Sequence, residues 1–186
     1  FILLLCYFVV LLFIGEAIFY PFNNHKKSWW SLGQSVQHGI ESPFKGSRVD
    51  AVDELEKTLK QVLSEQQLAD VPVGAFLSGG VDSSTVVSLL QSVSSSSVKT
   101  FTMGSSNKDY DESVVAREVA QHLDTDHTEC RVEPKDGIDL IPQLAEIYDE
   151  PFADASQIPT LLVSRLAKQQ VTVVLSGDGG DEIFGG

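Results

Sequence analysis

Two short stretches of this chain concentrate the residue types that bind anions and metals. The first is Ser78-Gly79-Gly80-Val81-Asp82-Ser83-Ser84, and the second is Ser176-Gly177-Asp178-Gly179-Gly180-Asp181-Glu182. In the first, adjacent glycines let the backbone approach a phosphate closely and the serines add hydroxyl donors. The following Thr85-Val86-Val87-Ser88-Leu89-Leu90 reads as a helix, whose N-terminal N–H groups and partial positive charge favour an anion. Asp82 is the informative residue, because a carboxylate repels a polyphosphate unless a cation such as Mg²⁺ bridges them. Its alternative role is capping the helix, which fits the serine-rich start equally well. The second stretch sets three acids among three glycines. Desolvated carboxylates are costly unless paired or metal-bound, which favours metal and substrate contacts over a solvated acidic turn. The G-x-x-x-x-G-K-[ST] pattern of a terminal-phosphate hydrolase does not occur in the first loop.

These loops need elements to hold them. Short β-branched runs alternate with helical segments along the chain. The strands are expected at Val71 to Leu77, Val98 to Met103, His127 to Glu133 and Val171 to Leu175. The helices are expected at Ser83 to Val93, Asp111 to Leu123, Asp136 to Tyr148 and Pro159 to Gln169. Strict alternation implies parallel βαβ units, and so an α/β fold with a doubly wound, mostly parallel sheet and helices on both faces. In such sheets ligands bind at the carboxyl ends of strands, where both loops fall. The Asp109 to Glu112 segment follows the second strand and is expected at that same edge. An amphipathic helix precedes the sheet over Arg48 to Ala69, with Val52, Leu55, Leu59, Val62 and Leu63 on one stripe. Residues 29–47 are polar and rich in turn residues, which predicts a linker between an apolar N-terminal segment, 1–28, and a domain over 48–186.

The run Phe1 to Ile14 is apolar throughout but shorter than the about 20 residues a membrane helix needs. It has neither the basic start nor the small-residue cleavage site of a signal peptide, so membrane attachment is not the expectation. A fragment, or a mistranslated opening, accounts better for it, and Phe1 to Phe22 is expected to make few contacts with the sheet. Thirteen basic against 26 acidic side chains give a net charge of −13, which disfavours nucleic acid as a partner. Only Cys6 and Cys130 occur, far apart, so no disulfide framework or zinc site is suggested and a cytoplasmic location fits.

Taken together, SGGVDSS at Ser78 to Ser84 and LSGDGGDEIFGG at Leu175 to Gly186 resemble the two signature loops of the glutamine-hydrolysing asparagine synthetase family. Segments at Asp109 to Glu112, Ala116 to Glu118, Asp149 to Phe152 and Ser156 to Thr160 are similar to family segments in order and spacing. Gly179 to Ile183 also resembles the GGDEF signature of cyclic-dinucleotide synthesis, but the strand and SGGVDSS loop before it do not belong to that setting.

The resemblance implies an ATP-pyrophosphatase-type sheet and a ligase that uses ATP and Mg²⁺. Such an enzyme adenylates the side-chain carboxylate of aspartate and then amidates it with ammonia derived from glutamine, releasing AMP and pyrophosphate. By motif match, Ser78, Gly79, Gly80, Ser83 and Ser84 would hold the pyrophosphate, and Asp82 and Asp181 the Mg²⁺. Leu77 and Met103 would flank the adenosine, with Ser176 and Gly177 on its other side. Asp178 stands where many relatives have Glu and would handle protons, so Asp82, Asp178 and Asp181 form the catalytic set. The resemblance also implies a glutaminase domain with an N-terminal nucleophilic Cys and later helices supplying a lysine. Neither is recognisable here, so the chain alone is expected to be an incomplete ligase; a homodimer is compatible with the resemblance. A related amidotransferase acting on another carboxylate, in β-lactam or glycan modification, would share both loops. A non-catalytic ATP-binding module would have no need of both Asp82 and Asp181.

Overall fold

A computed structural model describes residues 16–18, 26–28, 30–106, 111–150, 153–154 and 156–184. The chain divides into two compact units, Phe1–Val52 and Asp53–Gly186. In the first, strands β1 (Glu16–Ile18) and β2 (Lys26–Ser28) pair antiparallel. The rest of residues 1–22 lies outside the described residues, and with it most of the expectation about the apolar opening. The 29–47 segment, expected as a linker, contains a helix, α1 (Leu32–Glu41). Ser31 caps it by accepting from the Gln34 N–H, and Pro43 stands just beyond its end. The cap and the terminal proline are helix signals that the two glycines obscured. Helix α2 (Arg48–Gln66) follows. Of its apolar stripe only Leu63 is fully buried, while Val52, Leu55 and Val62 remain exposed. This stripe therefore meets the core only near the helix's C-terminal end.

The second unit is built on a four-stranded parallel sheet in the order β5-β4-β3-β6. Its strands are β3 (Val73–Phe76), β4 (Lys99–Ser105), β5 (Asp126–Val132) and β6 (Val173–Leu175). Between them run α3 (Val81–Val93), α4 (Ser113–Leu123), α5 (Pro134–Ile147) and α6 (Gln157–Ala167), and the five-residue α7 (Gly180–Phe184) comes last. Strand periodicity sorts the side chains onto two faces. Ala75 and Leu77 pack with Leu63, Val87, Leu90, Ala116 and Ala120 of α2, α3 and α4. Phe76 and Phe101, in register across β3 and β4, point the other way and pack with Ala167, Val163 and Leu166 of α6. Phe101 is completely buried, and a buried phenyl ring stabilises by about 1.5–3 kcal/mol. The doubly wound arrangement read from the alternation is thus present, with helices on both faces.

At the amino ends of the strands, Lys99 donates to Asp126 and to Gln170, and Gln170 donates to Thr128. These partly exposed bonds contribute little energy but tie the start of β4 and β5 to the turn before β6.

Candidate functional site at the carboxyl edge

At the opposite edge the two glycine-rich loops close on one cleft of about 880 Å³. The first loop leaves β3, the central position beside both β4 and β6, and is knit internally. The Ser83 hydroxyl accepts from the Ser78 backbone N–H at 3.2 Å and lies 2.8 Å from the Ser78 hydroxyl. Ser78 Oγ in turn accepts from the Gly80 N–H. Gly79 adopts φ +84, a left-handed conformation that glycine takes without strain. It is also crowded, since a Cβ there would lie 2.8 Å from the Ala116 backbone nitrogen of α4. The Leu77 carbonyl accepts from the buried Thr102 hydroxyl, which fixes the end of β3 against β4.

The second loop follows β6, and Ser176 holds it by donating to Asp178 Oδ2 at 3.0 Å. A Cβ on Gly177 would lie 2.7 Å from the Ser83 nitrogen, and one on Gly180 would lie 2.7 Å from the Asp82 carboxylate. Glycines at both positions therefore let the second loop lie directly on the first. Gly179, at φ +90, has open space around it.

Most of the residues singled out from the sequence line this cleft: Leu77, Ser78, Gly80, Asp82, Ser83, Met103, Ser176, Gly177, Asp178 and Asp181. Two do not. The side of Gly79 on which a Cβ would project faces α4, and the Ser84 hydroxyl is buried without a hydrogen-bond partner among the described residues. The Ser84 N–H is already spent on the Gly80 carbonyl. The expectation at Asp109 to Glu112 is met for Glu112, which lines the cleft with Ser78; Asp109 and Tyr110 lie outside the described residues. Sequence reading missed Phe76, Phe101, Pro159 and Val163, an apolar wall between the sheet and α6. The period-2 alternation of β3 and β4 carried the signal for the two phenylalanines.

The described lining carries Asp82, Glu112, Asp178, Asp181 and Glu182 and no Lys or Arg. Among the described residues no group of three or more His, Cys, Asp or Glu gathers to hold a metal unaided. Two acids on facing loops suit Mg²⁺, which binds through one or two carboxylates and completes its octahedron with phosphate oxygens and water. Asp82 and Asp181 are of the right chemistry for that requirement, and both line the cleft, with the Asp82 carboxylate against Gly180 of the second loop.

A parallel α/β sheet with helices on both faces and a serine-glycine loop at its switch point defines the ATP-pyrophosphatase class of fold. The NH3-dependent NAD synthetase of Campylobacter jejuni has a similar fold, at TM-score 0.51 and 16% identity, over 70% of this chain and 58% of that one. The asparagine synthase family model matches residues 54–186, and the chain belongs to that family. It is 46% identical over 136 residues to a protein of Methanocaldococcus jannaschii assigned as asparagine synthetase [glutamine-hydrolyzing] 2. It is 38% identical over 135 residues to asparagine synthetase [glutamine-hydrolyzing] 1 of Bacillus subtilis. Each alignment covers 73% of this chain but only 26% and 21% of those proteins, so the chain spans about a quarter of their length or less. Among the described residues no helix is long and apolar enough to cross a membrane.

Proposed function

We propose that the cleft is the ATP site of an amide-forming ligase that activates the side-chain carboxylate of aspartate and amidates it with glutamine-derived ammonia. The observation that carries this reading is the seating of the second glycine loop on the first, Gly177 and Gly180 against Asp82 and Ser83. The phosphates of ATP would lie on the loop at Ser78, Gly80 and Ser83, where the first turn of α3 presents N–H groups, with Gly79 shaping the loop from the α4 side. Ser84 would serve that loop from its buried side. Leu77 and Met103 would border the nucleoside, with Phe76, Phe101 and Val163 as apolar wall and Ser176 and Gly177 opposite.

In an acid-lined cleft without a basic side chain among its described residues, a nucleotide needs a counter-charge. Asp82 and Asp181 would hold Mg²⁺, which supplies charge neutralisation between carboxylates and phosphates. Asp178, which accepts a hydrogen bond from Ser176, would exchange a proton with the incoming nucleophile. Residues 48–186 belong to the synthetase domain in this reading. A glutaminase domain, a second copy of the protein and the small-molecule substrates are its partners, in the cytoplasm.

The test is Mg²⁺-dependent ATP–pyrophosphate exchange by the full-length protein, with aspartate compared against other carboxylates. Exchange stimulated selectively by aspartate is expected. In Asp82→Asn and Asp181→Asn most of it should be lost, while metal-free ATP binding is unchanged or tighter because a repulsive charge is gone. Exchange that survives either substitution, or metal-free affinity that falls, would remove that acid from the metal.

A further inference from the structure

Asp111 and Glu112 are neighbouring acids with different surroundings. Glu112 lines the cleft and makes no side-chain capping bond to α4. The Asp111 side chain is only 10% exposed, and its oxygens are occupied by other parts of the chain. Oδ1 accepts from the Ser105 backbone N–H at 3.2 Å, the Ser113 backbone N–H at 3.2 Å and the Ser113 hydroxyl at 2.6 Å. Oδ2 lies 3.9 Å from Arg131 of β5. One carboxylate thus joins the last residue of β4 to the first residue of α4, across the point where the chain leaves the sheet and returns to it.

A second observation concerns the seat itself. A Cβ at Gly104 would lie 2.9 Å from the Ser113 hydroxyl and 3.3 Å from Asp111 Oδ1. The close approach of Asp111 and Ser113 to β4 therefore depends on a glycine. One turn further along, Val115 and Ala116 press on Gly79 of the phosphate loop. The start of α4 is pinned to β4 on one side and backs the glycine loop on the other. A charged acceptor suits this task, because bonds to an ionised carboxylate are stronger than neutral ones and the first turn of a helix favours negative charge.

We propose that Asp111 is a positioning residue for the nucleotide pocket: it clamps α4 to the end of β4, seats that helix against Gly79, and holds Glu112 in the cleft wall. The proposal rests on reading the cleft as an ATP site, but its structural half can be tested without ATP. In the full-length protein, Asp111→Ala should speed amide hydrogen exchange at Ser78 to Ser84 and in the first turn of α4 by about ten-fold or more, leaving β3 and β6 unchanged. Uniform acceleration across the sheet would mean a general loss of stability and overturns the clamp, as does no change at the loop.

In ATP–pyrophosphate exchange, Asp111→Ala should raise KM for ATP about ten-fold, as loss of a charge-assisted bond allows, with kcat within about three-fold. Asp111→Asn, which keeps an acceptor oxygen, should recover part of that loss. Ser113→Ala is the milder second variant, and a KM raised about two- to three-fold is expected. An unchanged KM in Asp111→Ala and Ser113→Ala, or kcat falling in step with the melting temperature, overturns the proposal. A wild type that exchanges no pyrophosphate but shows the localised hydrogen-exchange effect overturns the ATP reading and leaves the clamp standing.

Discussion

The two glycine loops look alike in sequence but are supported differently. Ser78 to Ser84 leaves an interior strand with partners on both sides, its serines bond to one another, and it opens the thirteen-residue α3. Ser176 to Glu182 leaves a three-residue strand at the end of the described sheet and opens only the five-residue α7. The same composition therefore makes a firmly supported loop in one place and a less supported one in the other. What decides between them is the number of neighbours each loop leans on.

The glycines at positive φ give the largest expected contrast. Gly79→Ala combines a left-handed backbone with a Cβ 2.8 Å from the α4 backbone, and should cost about 2–4 kcal/mol. Gly179→Ala meets open space, so only the conformational term of about 1 kcal/mol remains. Chemical denaturation of both variants checks the difference; equal losses would mean that the loops are equally constrained. A smaller contrast separates the serines. Ser83→Ala removes a nearly buried hydroxyl and leaves the Ser78 N–H without its acceptor, at about 1–2 kcal/mol. Ser176→Ala acts at an exposed bond and should stay within about 0.5 kcal/mol.

The smallest expected effect on the comparison comes from a residue at neither loop. His127 on β5 bonds through Nδ1 to the Thr100 hydroxyl, and its Nε2 is buried without a partner among the described residues. Burial pushes its imidazole below the ordinary value, Glu129 opposes that shift and Arg117 adds to it. A folded-state pKa below the unfolded one means that the unfolded chain takes up the proton more readily. Stability is then full above about pH 6.5 and erodes as the pH falls below it. Melting temperatures from pH 7.5 to 5.5 should show that slope in the wild type and a flatter one in His127→Gln. The gap between the Gly79 and Gly179 variants should stay the same at every pH, and a gap that closes in acid would tie His127 to the Ser78 to Ser84 loop.

Much of this was legible in the residues. The alternation of β-branched runs with helical segments placed all four strands of the parallel sheet to within a few positions, although β5, with Asp126, His127, Glu129 and Arg131, is largely polar and only partly buried. The two loops could be read as ligand-binding because glycine, serine and unpaired carboxylates make poor packing material. The order β5-β4-β3-β6 was not legible: periodicity says which face a side chain takes, not which strand lies beside it. The exclusion of Gly79 and Ser84 from the cleft has a similar cause. A motif gives adjacency along the chain, whereas Val115 and Ala116 decide which way Gly79 faces. Helix α1 escaped because Gly33 and Gly39 outweighed the cap at Ser31, and α7 because five residues are too few for a periodic signal.

The pairing of Val73 with Val173 has a consequence for how the molecule is made. During synthesis β3, α3 and β4 can assemble early, from contacts close in sequence, and β5 can join soon after. The side of β3 that receives β6 must wait for nearly a hundred further residues, and closing so long a loop before the pairing rewards it is slow. Until then a bare parallel edge, directly beside the Ser78 to Ser84 loop, is open to pairing with other nascent chains. Translation that pauses between α4 and β6 should therefore lower the soluble yield more than a pause of equal length after Leu175.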